Sequence, residues 1–241
     1  MYNNILSNFE NNYAYDLILE CFGQESQLYA EDFKITESLY QKYLNIIEKN
    51  IDIIKDKTVV DIGAGTGVWS ILMLMAGAKC VASIEPRQQL SNGLKRFVEK
   101  HKLNIECVTD FHTSVSGVYD TAILSGILGL IPERIEYLEQ LGKQVQYIFI
   151  RNAVYEIPKD CVEVKLRHNH NYMQGYNPHD KVLNDLGYQT SAKLMNNINI
   201  GQYLKHKFGT NYFNTVSNYL GYSVHKKYIT NGNQHWVLKT R

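Results

Sequence analysis

Residues 58–67 read Thr-Val-Val-Asp-Ile-Gly-Ala-Gly-Thr-Gly, and this stretch decides the predicted fold. Its β-branched start predicts a buried strand, and the apolar run 68–75 predicts a helix directly after it. Glycine at Gly63, Gly65 and Gly67 permits positive φ and lets the backbone approach a ligand with no Cβ in the way. The first amide groups of such a helix point back at the loop. We therefore expect a strand–loop–helix unit that binds a nucleotide-like ligand.

The glycine spacing distinguishes between two classes of such ligands. The dinucleotide fingerprint G-x-G-x-x-G would place its third glycine at position 68, where this chain has Val68. The chain reads Asp-x-Gly-x-Gly-x-Gly instead, with Asp61 two residues before the first glycine. An acid at the strand end repels a pyrophosphate but suits a cation. The pattern resembles motif I of the class I S-adenosylmethionine-dependent methyltransferases, whose cofactor carries an ammonium and a sulfonium.

Two further acids end predicted strands downstream of the glycine loop. Glu85 closes the run 80–85 and is placed to accept both hydroxyls of a ribose, a device that NAD enzymes share. Ile84-Glu85-Pro86 also resembles the second motif of the methyltransferases. In that family an acid at the position of Asp110 takes the adenine amino group, and Phe111 would offer its backbone N–H and stack on the ring.

The fourth predicted strand, 119–124, leads into Ser125-Gly-Ile-Leu, where the resemblance implies that the methyl group meets its acceptor. Small residues at this point leave room for that acceptor. The predicted cofactor is S-adenosyl-L-methionine, and the residues predicted to bind it are Asp61, Gly63, Ala64, Gly65, Gly67, Glu85, Pro86, Asp110, Phe111 and Ser125.

Strand and helix patterns alternate along residues 58–150, which predicts a parallel sheet with crossover helices. Near the end of the chain, two strand-like runs flank Thr230-Asn-Gly-Asn, a strong hairpin signal. The sixth strand could follow Leu186-Gly-Tyr or Leu220-Gly-Tyr, and we prefer the second because it leads straight into the hairpin. The predicted fold class is α/β, a doubly wound, mostly parallel seven-stranded sheet with a C-terminal antiparallel hairpin, N-terminal helices and an inserted cap.

The predicted organisation has four parts. Apolar residues at spacings of three and four predict helices before the first strand, and the alternating run 161–167 predicts an extra strand. A short helix is expected from Asn177-Pro178 to Gly187. The parts are an N-terminal helical cap (1–57), a cofactor-binding core (58–152), an inserted substrate-side segment (153–208), and a C-terminal helix and hairpin that complete the core (209–241).

The bulk composition is that of a globular chain without strong charge. The 241 residues are 44% hydrophobic and 20% charged, and the net charge of +1 does not indicate nucleic acid or an anionic membrane as a partner. No segment reaches the roughly 18 apolar residues of a membrane span, and the first ten residues do not read as a signal peptide. We expect a cytoplasmic protein with reduced thiols and no metal site, because the cysteines are widely spaced: Cys21, Cys80, Cys107 and Cys161.

The acceptor is predicted mainly by absent motifs. The chain lacks the Asn- or Asp-Pro-Pro-aromatic motif of nucleic-acid amino-methyltransferases, the Pro-Cys nucleophile of cytosine-C5 enzymes and the paired glutamates of protein arginine methyltransferases. Ser125-Gly-Ile-Leu resembles small-molecule methyltransferases, although Gly129-Leu130 replaces their frequent acid-His pair. We predict transfer to an O or N atom of a small molecule by in-line displacement. The alternatives are a nucleic-acid or protein acceptor, and a non-catalytic cofactor-binding member of the fold.

A general base is needed only where the acceptor is protonated. The weak candidates are His168, His170 and Tyr172, with Arg151-Asn152 after the fifth strand as further contacts. The two histidines together with His179 lack the acid-rich spacing typical of a metal site, so a solvated loop is the preferred interpretation.

Overall fold

The computed structural model describes residues 13–25, 37–110, 115, 117–128, 131, 134–153, 162–168, 202–208, 212–230 and 233–241. Of residues 13–14, 22–25, 153, 162–168 and 202–208 only the backbone is described. Within the described residues, two helices precede the first strand: α1, Tyr13–Glu25, and α2, Glu37–Lys49, which a 3-10 turn at Ile51–Ile53 follows. All lie in the stretch for which the apolar spacing predicts helix.

Alternating strands and helices follow. They are β1 (Thr58–Ile62), α3 (Val68–Met75), β2 (Cys80–Ile84), α4 (Gln88–His101) and β3 (Ile105–Val108). The three strands pair in parallel, β1 with β2 and β2 with β3. Helix α3 is apolar on nearly all sides and is buried accordingly, whereas α4 buries one apolar face and exposes its charged residues.

The second half of the chain finishes with antiparallel strands. Its elements are β4 (Tyr119–Ser125), α5 (Arg134–Leu141), β5 (Val145–Ala153), β6 (Val162–His168), β7 (Gln202–Phe208), α6 (Tyr212–Leu220), β8 (Ser223–Thr230) and β9 (Asn233–Lys239). Strand β9 pairs antiparallel with both β5 and β8. The last strand therefore enters the sheet between β5 and β8.

Seven strands form one sheet in the order β3-β2-β1-β4-β5-β9-β8, while β6 and β7 form a separate antiparallel pair. The predicted fold class is confirmed: the main sheet is mostly parallel and ends in the C-terminal hairpin. Strand β8 follows Leu220-Gly221-Tyr222, the second of the two positions that the sequence allowed. The alternating run predicted at 161–167 is β6, but β7 was not predicted.

The chain divides into two compact units, and the boundary falls within β4. The first unit is Met1–Ser114 with Tyr119–Ala122, and the second is Val115–Val118 with Ile123–Arg241. The first unit has a core of β1, β2, α3 and α4 side chains, and the second has a core of β5, β9 and α6 side chains that includes the fully buried Trp236. The four-part organisation with bounds at 57, 152 and 208 stays a prediction.

In the part of the chain that the structure describes, every helix is too short or too polar to span a bilayer.

Candidate functional site

The glycine loop lies between β1 and α3, and its backbone needs glycine. Gly63, Gly65 and Gly67 have φ of 70°, 61° and 86°, the left-handed region that other residues rarely adopt. At Gly67 a Cβ would also lie 2.4 Å from the buried Leu94 Cδ1, so the residue permits close packing of α4 against the loop. Gly63 and Ala64 are half-buried, whereas Gly65 and Gly67 are buried. Conformation and packing together require glycine at this strand–helix junction.

Several amide groups of the loop already have protein acceptors. Gly63 N and Ala64 N donate to Ile84 O at 2.9 and 3.0 Å, and Gly67 N donates to Ala64 O at 2.9 Å. Gly65 N donates to Glu85 Oε2 at 2.7 Å. These four amides do not converge on a bound anion as the amides of a phosphate-binding loop do. Ile84 of β2 accepts from two of these amides, and Glu85 and Ala64 accept from the other two. The expectation that the first amides of α3 point back at the loop stays a prediction.

Asp61 anchors the helix that follows the loop. Its side chain is buried, and Oδ2 accepts a hydrogen bond of 2.6 Å from Ser70 Oγ. The backbone N–H of Ser70, an amide of the first turn of α3, also lowers the pKa of this carboxylate. Asp61 therefore caps α3 from the preceding strand. The direct ammonium contact suggested by the sequence stays a prediction.

Burial raises the pKa of Asp61 to about 7, with the neighbouring Glu85 carboxylate acting in the same direction and the Ser70 bonds acting against it. Since its pKa in the folded chain exceeds its ordinary value, Asp61 contributes stability at low pH that is lost as the pH rises through about 7. The free energy of unfolding should therefore fall by about 1.4 kcal/mol per pH unit between pH 5 and 7, relative to Asp61→Asn. Urea unfolding at several pH values measures this difference. Parallel pH profiles for the two proteins would contradict it.

Glu85 lies at the end of β2, where it is bound by the loop and by Arg87. Arg87 Nε donates to Oε1 at 2.6 Å, Arg87 Nη2 donates to Oε2 at 3.1 Å, and Arg87 N donates to Oε1 at 3.0 Å. Both side chains are buried, with exposed fractions of 2% for Glu85 and 6% for Arg87. With Gly65 N, the structure joins the loop, Glu85 and Arg87 in one network. The half-buried Pro86 lies between the two charged residues.

The remaining predicted adenine contact is partly described. Asp110 is half-buried and comes two residues after β3. Phe111 lies outside the described residues. The roles assigned to both therefore stay predictions.

Helix α1 covers the glycine loop through one contact that the sequence did not indicate. Cys21 Sγ donates to Thr66 O at 2.9 Å, and Leu17, Ile18 and Cys21 are all buried. Next to Cys21, Glu20 of α1 pairs with Lys100 and His101 of α4, at 2.7 and 3.2 Å. The N-terminal helix is thus fixed at one point to the loop and at another to α4.

In the second unit, Ser125 ends β4 next to a charged side chain of β5. Arg151 Nη1 lies 3.4 Å from Ser125 Oγ, and Gly126 N donates to Arg151 O at 2.8 Å. Gly126 has φ of 78°, and an added Cβ there would have no atom within 4 Å. The next residue of β5, Asn152, is buried, and its Nδ2 has no hydrogen-bond partner among the described residues. At the carboxyl ends of β4 and β5, polar groups therefore lie beside a position that no described residue fills.

The weak catalytic candidates are largely outside the described residues. The backbone of His168 ends β6, and its side chain is not described, while His170, Tyr172 and His179 lie beyond the described part. Among the described side chains, no group of three or more His, Cys, Asp or Glu is arranged to hold a metal ion.

Two residues of the site were missed from the sequence, Ser70 and Arg87. Arg87 follows a strand-end acid at a spacing of two, which is a local signal for an ion pair around one turn. Ser70 is a single polar residue in an apolar helix. Only its place as the third residue of α3 indicates that it contacts a capping group such as Asp61.

Sequence comparisons give partial matches, and no family model matches the chain. Over 48 residues it is 48% identical to protein arginine N-methyltransferase 1 of Oryza sativa subsp. indica, covering 20% of this chain and 12% of that protein. Over 114 residues it is 29% identical to ribosomal protein L11 methyltransferase of Thermotoga neapolitana, covering 46% of this chain and 42% of that protein. The chain thus spans less than half the length of these curated relatives.

A structural comparison covers the whole chain. The 1,6-didemethyltoxoflavin-N1-methyltransferase of Burkholderia thailandensis, solved with 1,6-didemethyltoxoflavin and S-adenosylhomocysteine, superposes with a TM-score of 0.59. The match covers 100% of this chain and 89% of that one at 15% identity. The fold is that of the S-adenosylmethionine-dependent methyltransferases. In this methyltransferase fold, the glycine loop of the present chain is the junction of β1 and α3.

Proposed function

We propose that the chain is a class I S-adenosylmethionine-dependent methyltransferase that transfers a methyl group to an O or N atom of a small molecule. One observation carries the proposal. Strand β1 passes into a loop with three glycines at positive φ, and two buried carboxylates, Asp61 and Glu85, flank that loop. The methyltransferase fold and the partial matches to two methyltransferases support the same proposal.

The donor and acceptor groups of the site fit S-adenosylmethionine better than a dinucleotide. Four loop amides are bonded to protein oxygens, and two carboxylates stand where a pyrophosphate would be repelled. Carboxylates suit an ammonium group and the hydroxyls of a ribose. The absence of a Cβ at the half-buried Gly63 leaves its backbone accessible to a ligand of this shape.

S-adenosylmethionine supplies a methyl group on a sulfonium, which is a good leaving group, so the protein mainly has to align the reacting atoms. In this proposal Asp61 binds the ammonium group while holding α3 through Ser70. Glu85 binds the ribose, Asp110 and Phe111 bind the adenine, and the glycine loop lies along the methionine part of the cofactor. These roles need no covalent intermediate on the chain.

We place the acceptor beside Ser125, at the end of β4. Gly126 gives open space there, and Arg151 and Asn152 supply hydrogen-bond donors at the adjoining end of β5. Hydrogen-bond donors of this kind would orient a methyl-accepting substrate that carries oxygen atoms. A small molecule is the acceptor that this arrangement favours.

A protein acceptor is the second candidate, because both curated relatives are named for protein methylation. A nucleic-acid acceptor has less support, since the net charge of +1 does not predict steep salt dependence or retention on heparin.

Transfer of label from methyl-tritiated S-adenosylmethionine tests the proposal. A heat-inactivated cell extract, separated into small molecules, protein and RNA, is incubated with the full chain and with Asp61→Ala as a control. We expect label in the small-molecule fraction with the wild-type chain alone. Label confined to protein or RNA would contradict the proposed acceptor. Binding of cofactor without label in any fraction would favour the non-catalytic alternative.

A further inference from the structure

The network around Glu85 uses the acceptor capacity that a bound ribose would need. Four protein donors reach this carboxylate: Gly65 N, Arg87 N, Arg87 Nε and Arg87 Nη2. A carboxylate offers about four lone-pair sites, so the donors already present match its capacity. A ribose that donates two hydroxyl groups to Glu85 must therefore displace two of the existing donors.

The two guanidinium donors are the ones that can leave. The amides Gly65 N and Arg87 N belong to the backbone and are fixed by the loop and by the start of α4. The guanidinium is carried on a flexible chain and donates from Nε and Nη2 as a two-pronged fork. A ribose diol is also a two-pronged donor, so it replaces the fork without leaving an oxygen of Glu85 unsatisfied.

We propose that Arg87 competes with the ribose of the cofactor for Glu85, so that the affinity of the site for nucleosides is set by exchange of the guanidinium for the ribose hydroxyls. This proposal rests on the proposed function, in which Glu85 binds the ribose. Arg87 thereby determines which ligands bind: only a ligand with both hydroxyls repays the loss of the ion pair, whereas a deoxyribose satisfies one oxygen alone.

The position of Arg87 in the fold favours its release. The residue is the N-cap of α4, with φ of −77° and ψ of 105°. A helix N-terminus carries partial positive charge and disfavours a cation, whereas the Glu85 carboxylate stabilises the guanidinium there. The carboxylate, in contrast, keeps its two backbone donors after the exchange. Glu85 therefore stays oriented while Arg87 moves toward solvent.

Competition and simple positioning predict opposite effects of removing the guanidinium. If Arg87 competes, Arg87→Met frees two acceptor sites on Glu85 before the ligand arrives, and cofactor binding becomes tighter. If Arg87 only holds Glu85 in place, the same substitution weakens binding. The unliganded Arg87→Met chain should also unfold at a lower temperature, because a buried carboxylate has lost its charged partner.

Calorimetric titration with S-adenosylhomocysteine decides between the two, with wild type, Arg87→Met and Arg87→Lys compared. Arg96→Met serves as the matched control, because it removes an arginine from the exposed side of the same helix. We expect Arg87→Met to bind at least about fivefold tighter than wild type, Arg87→Lys to lie between them, and Arg96→Met to equal wild type. The 2′-deoxy analogue of the ligand should lose most of the gain.

The outcomes separate this inference from the proposed function. If neither wild type nor Arg87→Met binds S-adenosylhomocysteine, the proposed function fails, and this inference fails with it. If wild type binds and both Arg87 variants bind equally or more weakly, the competition is overturned while the proposed function stands. Arg87→Lys keeps the test decisive if Arg87→Met does not fold.

Discussion

Asp61→Ala is expected to lower the affinity for S-adenosylhomocysteine by at least about a hundredfold, the largest functional effect of any single substitution. The carboxylate has two tasks in the proposed site, to bind the ammonium group of the ligand and to hold α3 through Ser70. Its removal leaves the hydroxyl of Ser70 without that acceptor, which should cost about 1–3 kcal/mol of folding free energy. Calorimetry measures the first effect and urea unfolding measures the second.

Ser70→Ala separates the two tasks of Asp61. This variant loses the 2.6 Å hydroxyl contact but keeps the carboxylate. We expect its affinity for the ligand to fall only severalfold. Equal losses of ligand affinity in Ser70→Ala and Asp61→Ala would mean that Asp61 supports binding only by holding α3. Wild-type affinity in Asp61→Ala would contradict both tasks.

Gly67→Ala is expected to have the largest effect on stability, a loss of about 2–5 kcal/mol in the free energy of unfolding. The backbone at this residue has φ of 86°, and the added Cβ would lie 2.4 and 2.7 Å from the two methyl carbons of Leu94 and 3.1 Å from its Cγ. Leu94 is buried at 2% exposure, so its side chain can make room only by repacking against its neighbours. Urea unfolding measures the loss.

The matched control for Gly67→Ala is Gly126→Ala. Gly126 has a similar φ of 78°, but a Cβ there meets no atom within 4 Å. Only the conformational cost remains, about 1–2 kcal/mol. Adding Leu94→Ala to Gly67→Ala should recover part of the lost stability, because it removes the clashing methyl groups. Equal losses for the two glycine variants would show that the contact with Leu94 is not the cause.

Most of the main sheet could be predicted from local patterns. The β-branched run before the glycines, the alternation up to residue 150 and the Thr230-Asn-Gly-Asn turn are each visible within a short window, and each corresponds to an element of the sheet. Strand β7 was missed because its partner β6 lies far away along the chain. Nothing in the short basic run Gln202–Phe208 indicates that it pairs with β6, as Phe208 does with Val162.

The candidate site could be predicted as a set of residue types, but its internal bonds could not. The sequence places acids and glycines at the ends of strands, which is enough to propose the ligand. It does not show that Asp61 turns toward Ser70, or that Arg87 folds back onto Glu85. Both contacts depend on how a turn directs a side chain, and that direction is set by packing. The same packing supplies protein acceptors for the loop amides, so these amides are not left free to bind a ligand.

Calorimetric titration of the full chain with S-adenosylhomocysteine and, separately, with NADH tests the central claim most directly. The glycine loop with its two flanking carboxylates is predicted to give saturable binding of S-adenosylhomocysteine and no binding of NADH. Binding of NADH without binding of S-adenosylhomocysteine would contradict the claim.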